Sequence, residues 1–187
     1  MIQTPTKPLS LDEFLAFPET EPASEYINGK IIQKPMPQGK HSIIQRELCF
    51  TLTQVFRPTG IAQAFPELRC NFGNRSIIPD IAVFRAERIP RDRDGQVANS
   101  FNIPPDWTIE ILSPNQSQTR VTRNVIHCLN HGSEMGWVID PAESLIFTYA
   151  SDKPVSVFEE PIEQLPNPEF AEALKLTPGE VFAWLKV

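Results

Sequence analysis

The chain has 187 residues, of which 41% are hydrophobic and 21% charged, as in an ordinary water-soluble globular protein. Its net charge of −6 argues against a protein that coats nucleic acid through bulk positive charge. The sequence has no apolar stretch long enough to cross a bilayer and no secretory signal, so we expect a cytoplasmic protein that does not bind membranes.

The length favours a single domain over residues 1–187. The three cysteines, Cys49, Cys70 and Cys128, are far apart and odd in number. They fit neither a disulfide framework nor a zinc site, and we interpret all three as small buried thiols.

The first elements predicted are a short helix and a β-hairpin. Ser10 and Glu13 form a capping box at the start of the helix. The Asn28-Gly29 pair lies between two apolar arms and is typical of a type I′ turn.

A second helix and a second hairpin follow. Apolar side chains at helical spacing predict a helix from His41 to Phe56, which Pro58 and Gly60 end. The stretches ELRCNF and SIIPDIAVF, joined by GNR, predict two paired strands.

The second half begins with a polar loop over about 85–105, whose interleaved charges indicate a solvated segment. After it come the strand DWTIEIL, the helix TRVTRNVIHCLNHG ended by Gly132, the strands MGWVID, SLIFTYA and VSVFEE, and a terminal helix near Thr177-Pro178. The order of elements predicts an α/β or α+β domain with a mixed sheet, and neither a dinucleotide fingerprint nor a P-loop is present.

Two acids stand among strand-forming apolar residues. Asp80 follows Pro79, which cannot donate a ladder hydrogen bond and therefore indicates a strand edge or irregularity. Glu110 lies within WTIEIL. Acids are seldom buried unless they are paired or bind a cation, so neighbouring strands would bring both carboxylates to one point.

Two carboxylates and a backbone carbonyl such as that of Ile111 would suit Mg²⁺ or Mn²⁺. Such an ion lowers the pKa of a bound water and stabilises charge on a phosphoryl group. The alternative is that both strands are amphipathic and that Asp80 and Glu110 face solvent.

The sequence also resembles a known family. The stretches SLDEFLAFPE, EYINGKII, HSIIQREL, IIPDIAVF, PPDWTIEILSPNQS and HGSEMGWVIDPAESLIFTY occur in the order found in a restriction-endonuclease-like family abundant in cyanobacteria, within the PD-(D/E)xK nuclease superfamily. The resemblance covers about residues 9–150 and leaves 151–187 as a C-terminal strand and helix extension. It implies a mixed central β-sheet flanked by α-helices, a site at one sheet end, and a homodimer.

The resemblance also implies roles for four acids. Asp80 matches the aspartate of the motif and Glu110 its second acid, and both would bind the divalent cation. Glu47 is the candidate for a further acid from the preceding helix, and Glu25 matches the acid that opens the hairpin of the family.

One feature of the family is missing. The lysine of the E-x-K motif would stand at position 112, which is Leu112. The position on the next helix where the family often carries this lysine instead is Asn124, which has no charge. Arg120 lies on the same helix face and would reach the site as a permanent cation.

The histidines His127 and His131 are one helical turn apart near the end of a predicted helix. We expect them to interact favourably with the helix dipole rather than to bind metal.

These patterns favour a metal-dependent endonuclease that hydrolyses DNA phosphodiester bonds. The alternative is a catalytically impaired protein of the same fold that acts as a DNA-binding or protein-interaction module. A third hypothesis is hydrolysis of RNA or of another phosphate ester, because two acids and a metal do not specify the substrate.

Overall fold

The computed structural model describes residues 9–114 and 116–186. In these residues the chain forms ten strands in two sheets and four α-helices. The strands are β1 (Ser24–Ile27), β2 (Lys30–Gln33), β3 (Ala62–Pro66), β4 (Cys70–Phe72), β5 (Arg75–Ile77), β6 (Ile81–Arg85), β7 (Trp107–Ile111), β8 (Met135–Asp140), β9 (Leu145–Ala150) and β10 (Lys153–Phe158). The helices are α1 (Leu11–Leu15), α2 (Gly39–Phe56), α3 (Gln118–Leu129) and α4 (Pro178–Ala183).

The larger sheet has six strands in the order β10-β9-β8-β7-β6-β3. Its β7 and β8 are parallel and are joined through α3, whereas the other neighbours are antiparallel. The predicted α+β class with a mixed central sheet and flanking helices is therefore confirmed.

The two faces of this sheet are covered differently. On one face, Ile44 and Leu48 of α2 pack against Ile81 and Ile109. On the other face, Val121 and Val125 of α3 pack in a second apolar cluster. Because side chains alternate along a strand, Glu110 belongs to the face opposite Ile109, on the side of α3.

The smaller sheet has four strands in the order β2-β1-β5-β4. Its first hairpin turns at Asn28 and Gly29, both with positive φ, as predicted. The capping boxes of α1 and α4 are also present.

The prediction of one continuous strand through SIIPDIAVF is wrong. The chain leaves the smaller sheet after Ile77 and enters the larger sheet at Ile81. The interruption falls at Pro79, which has no N–H to donate to a ladder, so the irregularity expected there is confirmed. Asp80 thus lies where the chain crosses between the two sheets.

The strand β3 was not predicted. Its sequence AQAFP contains two alanines and ends in Pro66, which gives it a weak strand pattern. It forms as an edge strand because it pairs with β6 over five residues.

The cysteines form no disulfide, and Cys70 and Cys128 are buried as expected. Cys49 is only partly buried, because it flanks the buried stripe of α2. No helix in the described part of the chain is long and apolar enough to span a membrane.

Candidate active site

Asp80 is a buried carboxylate with a partner on each oxygen. Its side chain is 2% exposed. Oδ1 accepts a hydrogen bond from Lys34 Nζ at 2.7 Å, and Oδ2 accepts one from the backbone N–H of Ile111 at 2.7 Å. His41 Nε2 also lies 3.1 Å from Oδ2. These contacts fix the orientation of the carboxylate.

Glu110 lies beside Asp80 because of the strand register. Ile81 pairs with Ile109, so the same register continued by one residue places Asp80 opposite Glu110. Glu110 is 3% exposed, and its Oε1 has no hydrogen-bond partner. A buried carboxylate oxygen without a donor is costly, and such an atom is characteristic of functional sites.

Glu25 brings a third carboxylate from the smaller sheet. Its Oε1 accepts a hydrogen bond from the backbone N–H of Ile78 at 2.9 Å. Asn124 of α3 donates from Nδ2 to Glu25 Oε2 at 3.1 Å. Glu25 therefore contacts both Asn124 and the backbone of Ile78, two residues before Asp80. These contacts bring the three side chains together where the chain crosses between the sheets.

The cation of this site is Lys34, which the sequence did not predict. Lys34 follows β2 directly, and its Nζ donates to Asp80 Oδ1 and to the backbone oxygen of Ile78, each at 2.7 Å. Its side chain is 13% exposed. The resemblance predicted a lysine at position 112 or on α3, whereas the lysine observed in the site follows the β1–β2 hairpin.

Two side chains of α2 also hold Asp80 in place. His41 contacts the carboxylate, and Gln45 donates from Nε2 to the Asp80 backbone oxygen at 2.8 Å. Both lie one helical turn apart on the first half of the helix. In the sequence, the spacing of His41 and Gln45 by four residues shows only that both side chains lie on one face of the predicted helix.

Two of the three carboxylates, Glu25 and Glu110, line a small cavity that adjoins an open cleft. The cavity has a volume of about 20 Å³, which is room for one water-sized particle, and its lining includes Glu25, Glu110, Asn124 and Arg120. The cleft is larger, about 290 Å³, and its lining includes Asp80 and His41. Lys34 lines both spaces and therefore lies between them.

The pKa values of the three acids are shifted in different directions. Burial opposes the ionisation of Asp80, but the Lys34 ammonium and His41 outweigh it and lower the pKa of Asp80 to about 2. Burial and the nearby charge of Asp80 raise the pKa of Glu110 well above its usual range. Burial also raises the pKa of Glu25, against the opposing effect of the Ile78 N–H.

The pKa of Lys34 is raised, because the charges of Asp80 and Glu110 outweigh the effect of burial. Lys34 is therefore an ammonium throughout the physiological pH range. It is a cation that donates hydrogen bonds and not a general base.

The donor chemistry suits a hard divalent ion, because carboxylate oxygens are the ligands that Mg²⁺ and Mn²⁺ prefer. The unpartnered Oε1 of Glu110 is an oxygen that an ion would satisfy. Within the described residues, however, no three His, Cys, Asp or Glu side chains are grouped so that they could hold a metal as they stand. The carboxylates of Asp80 and Glu110 thus suit a divalent ion by their chemistry, while Oδ1 of Asp80 is bound to the Lys34 ammonium.

The backbone of Ile111 is also turned toward this point. The N–H of Leu112 donates to the oxygen of Ile139 in β8, while the N–H of Ile111 donates to Asp80. In an extended strand the N–H and C=O of one residue point to the same side. The Ile111 carbonyl therefore faces the side of Asp80.

Within the part of the chain that the structure describes, the other predicted site residues form no hydrogen bond with the three carboxylates. Arg120 is exposed but lines the small cavity, whereas Leu112 packs in the apolar cluster of α3. Glu47 is not brought to the other acids, because its carboxylate pairs with Arg46 on the partly exposed side of α2. The inward positions there are taken by Ile44 and Leu48.

The pair His127 and His131 lies away from the carboxylates. His127 stacks on Phe72, with ring centroids 4.8 Å apart, and its Nε2 lies 3.2 Å from the Phe72 backbone oxygen. Burial lowers the pKa of His127 to about 4, which disfavours the charged form that would interact with the helix dipole.

Comparisons with known proteins place the chain among those described as "putative" nucleases, in sequence and in overall fold. The chain matches the Uma2 family model, described as "putative restriction endonuclease", over residues 11–179. It also matches the crystal structure of a "putative nuclease" from Anabaena variabilis with a TM-score of 0.94 and 58% sequence identity, over 95% of this chain and 99% of that chain. A search of curated proteins finds no significant match.

Proposed function

Since the chain belongs to the Uma2 family, as its ordered motifs predicted, we propose that it is an endonuclease that hydrolyses DNA phosphodiester bonds with Mg²⁺ or Mn²⁺. The observation that carries this proposal is the burial of three carboxylates beside the ammonium of Lys34. Glu25 and Glu110 line the small cavity together with Lys34, and Asp80 binds Lys34 from the adjoining cleft. Burying three acids in one place is costly, and cation chemistry is the common reason for it.

Asp80 and Glu110 would hold the ion, with the Ile111 carbonyl as a further oxygen ligand. A bound divalent ion lowers the pKa of a water and offsets the charge of the phosphate. His41 and the Ile111 N–H orient Asp80, and the cleft beside it gives the substrate access. In the reaction, the attacking water would lose a proton to solvent as its oxygen bonds to phosphorus, the bond to the leaving sugar oxygen would break, and that oxygen would take up a proton from solvent.

A local basic patch supports a polyanionic substrate despite the net charge of −6. Arg120 and Arg123 are both exposed on α3. Arg75 of β5 lies near Arg123, because burial and then the positive charge of Arg123 lower the pKa of Arg75. A cluster of guanidinium groups next to the carboxylates is suited to phosphates on either side of the one that reacts.

Plasmid cutting tests the proposal. We expect the wild type to nick or linearise supercoiled plasmid in Mg²⁺ or Mn²⁺ and Asp80→Asn to lose at least 100-fold of that rate. Glu47→Gln serves as the matched control and should cut like the wild type. If wild type and Asp80→Asn are equally inactive across metals and substrates, the enzyme is not a nuclease. Cutting of both strands would favour a homodimer, which sedimentation checks.

A second candidate is favoured by Leu112 and Asn124, which stand where the resemblance expects a lysine. In that case the protein is a catalytically impaired member of the fold that binds DNA or another protein. Binding of labelled duplex DNA by wild type, with no cutting in any metal, would support this candidate. A single-stranded RNA substrate in the same assay tests the third hypothesis.

A further inference from the structure

A lysine already occupies the place on Asp80 that a divalent ion would need. Oδ2 of Asp80 faces the protein, where the Ile111 N–H and His41 hold it. Oδ1 is bound by Lys34 Nζ at 2.7 Å. A metal that uses Asp80 must therefore share Oδ1 with the ammonium or displace it.

The charges around this point make Lys34 the internal counterion of the site. Within residues 9–114 and 116–186, Lys34 is the only lysine or arginine whose side chain hydrogen-bonds to one of the acids Glu25, Asp80 and Glu110. The charges of all three acids act on its ammonium. A second cation that enters the same space is repelled by Lys34 as long as the ammonium stays there.

The side chain of Lys34 can move while its backbone stays fixed. The Lys34 N–H donates to the backbone oxygen of Ala23 at 2.8 Å, which anchors the start of the side chain. The ammonium has three donors, of which Asp80 and Ile78 use two. Because the side chain lines both the small cavity and the cleft, rotation of its flexible stem moves the charge toward the cleft.

This inference rests on the proposed function. We propose that Lys34 is the counterion which a divalent ion displaces from Asp80, and that the displaced ammonium then contacts the phosphate of the substrate. In this arrangement a residue of the hairpin supplies the positive charge that Leu112 and Asn124 do not. Lys34 offsets phosphate charge in the same way as other lysine clamps on transferring phosphoryl groups.

The proposal predicts opposite effects of one substitution. Lys34→Gln keeps a hydrogen-bond donor for Asp80 but removes the competing charge, so Mn²⁺ affinity should rise. The same change removes the cation that contacts phosphate, so cutting should slow. A lysine that only supports the fold would give a different result, because metal affinity and cutting would fall together.

The experiment uses the full chain with Mn²⁺ alone in a calorimeter and with plasmid DNA in a cutting assay. For Lys34→Gln we expect Mn²⁺ to bind about tenfold more tightly or better. We expect kcat to fall about 100-fold with little change in KM. Lys30→Gln, an exposed lysine on the same hairpin, is the matched control and should leave both quantities unchanged.

Two results would overturn the proposal: unchanged or weaker Mn²⁺ binding by folded Lys34→Gln, or cutting within threefold of the wild type. If wild type binds Mn²⁺ but does not cut, the proposed function and the phosphate contact fail, and calorimetry alone decides the displacement. If circular dichroism shows that Lys34→Gln does not fold, Lys34→Arg replaces it. The guanidinium fork should hold Asp80 more firmly and weaken Mn²⁺ binding, and tighter or equal binding would contradict the displacement.

Discussion

Asp80 and Glu110 lie beside each other, one residue beyond the pair of Ile81 and Ile109 in the register of β6 and β7, and their carboxyl pKa values are shifted in opposite directions. Asp80 is ionised because Lys34 and His41 surround it. Glu110 has an oxygen without a partner and faces the charge of Asp80. Two acids whose environments separate their pKa values are typical of sites with distinct roles for each acid.

Glu110→Gln should leave the protein stable but abolish metal binding and cutting. The amide has no charge to bury and can donate to the neighbouring carboxylates, so we expect the free energy of unfolding to stay equal or to rise by about 1 kcal/mol. Mn²⁺ binding and plasmid cutting should both be lost. Urea denaturation and calorimetry measure the two effects, with Glu47→Gln as the control. A large loss of stability would show that the Glu110 charge supports the fold.

Asn124→Lys should change cutting by less than about threefold, because Lys34 already provides a cation that binds Asp80 and interacts electrostatically with Glu25. The new ammonium would contact Glu25, which Asn124 contacts now at 3.1 Å. Single-turnover cutting rates of the wild type and the variant decide the matter. A gain of tenfold or more would mean that the cation on α3 was limiting and that Lys34 does not replace it.

His41 positions Asp80 and is expected to act through it. His41→Leu removes the contact to Oδ2 and should lower kcat about tenfold, whereas His41→Gln, whose amide can still donate, should lower it less. Both variants should bind DNA with unchanged affinity, because the basic patch is untouched. Equal rates for the Leu and Gln variants would contradict a role that depends on the hydrogen bond.

The stability of the protein should fall in acid because of His127. Its pKa is about 4 in the folded chain and about 6.5 in an unfolded chain, so the unfolded state takes up the proton first. The contribution of His127 is complete above about pH 6.5 and is lost as the pH falls toward 4. At pH 5 the loss is about 2 kcal/mol.

Urea denaturation at pH 7.5 and pH 5 measures this loss. In His127→Gln the difference between the two pH values should shrink by about 2 kcal/mol. His131→Gln is the control and should keep most of the difference, because burial of His127 is the largest cause of its pKa shift. An unchanged pH dependence in His127→Gln would show that His127 is protonated in the folded chain.

The sequence predicted the elements that have strong local signals. The Asn28-Gly29 turn and the capping box of Ser10 and Glu13 form from neighbouring residues and appear as expected. Asp80 and Glu110 were recognisable because acids rarely stand among strand-forming apolar residues. The strand β3 could not be found in this way, because pairing with β6 stabilises it rather than its own pattern.

The contact between Lys34 and Asp80 could not be predicted from the sequence either. A lysine just after an exposed strand reads as a surface residue, and its contact with Asp80 depends on how two sheets meet. The resemblance to the nuclease family therefore led to Leu112 and Asn124, neither of which carries a charge. The position of a charge in a site formed between sheets is set by tertiary structure, which short motifs do not encode.

In the proposed mechanism, Asp80 and Glu110 form a divalent-ion site from which Lys34 withdraws. The most direct measurement is the anomalous difference density of a crystal soaked in Mn²⁺. We expect one peak within about 2.5 Å of an oxygen of Asp80 and an oxygen of Glu110, with Lys34 Nζ no longer bound to Oδ1. No peak between the two carboxylates, with Lys34 still bound to Oδ1 of Asp80, would contradict it.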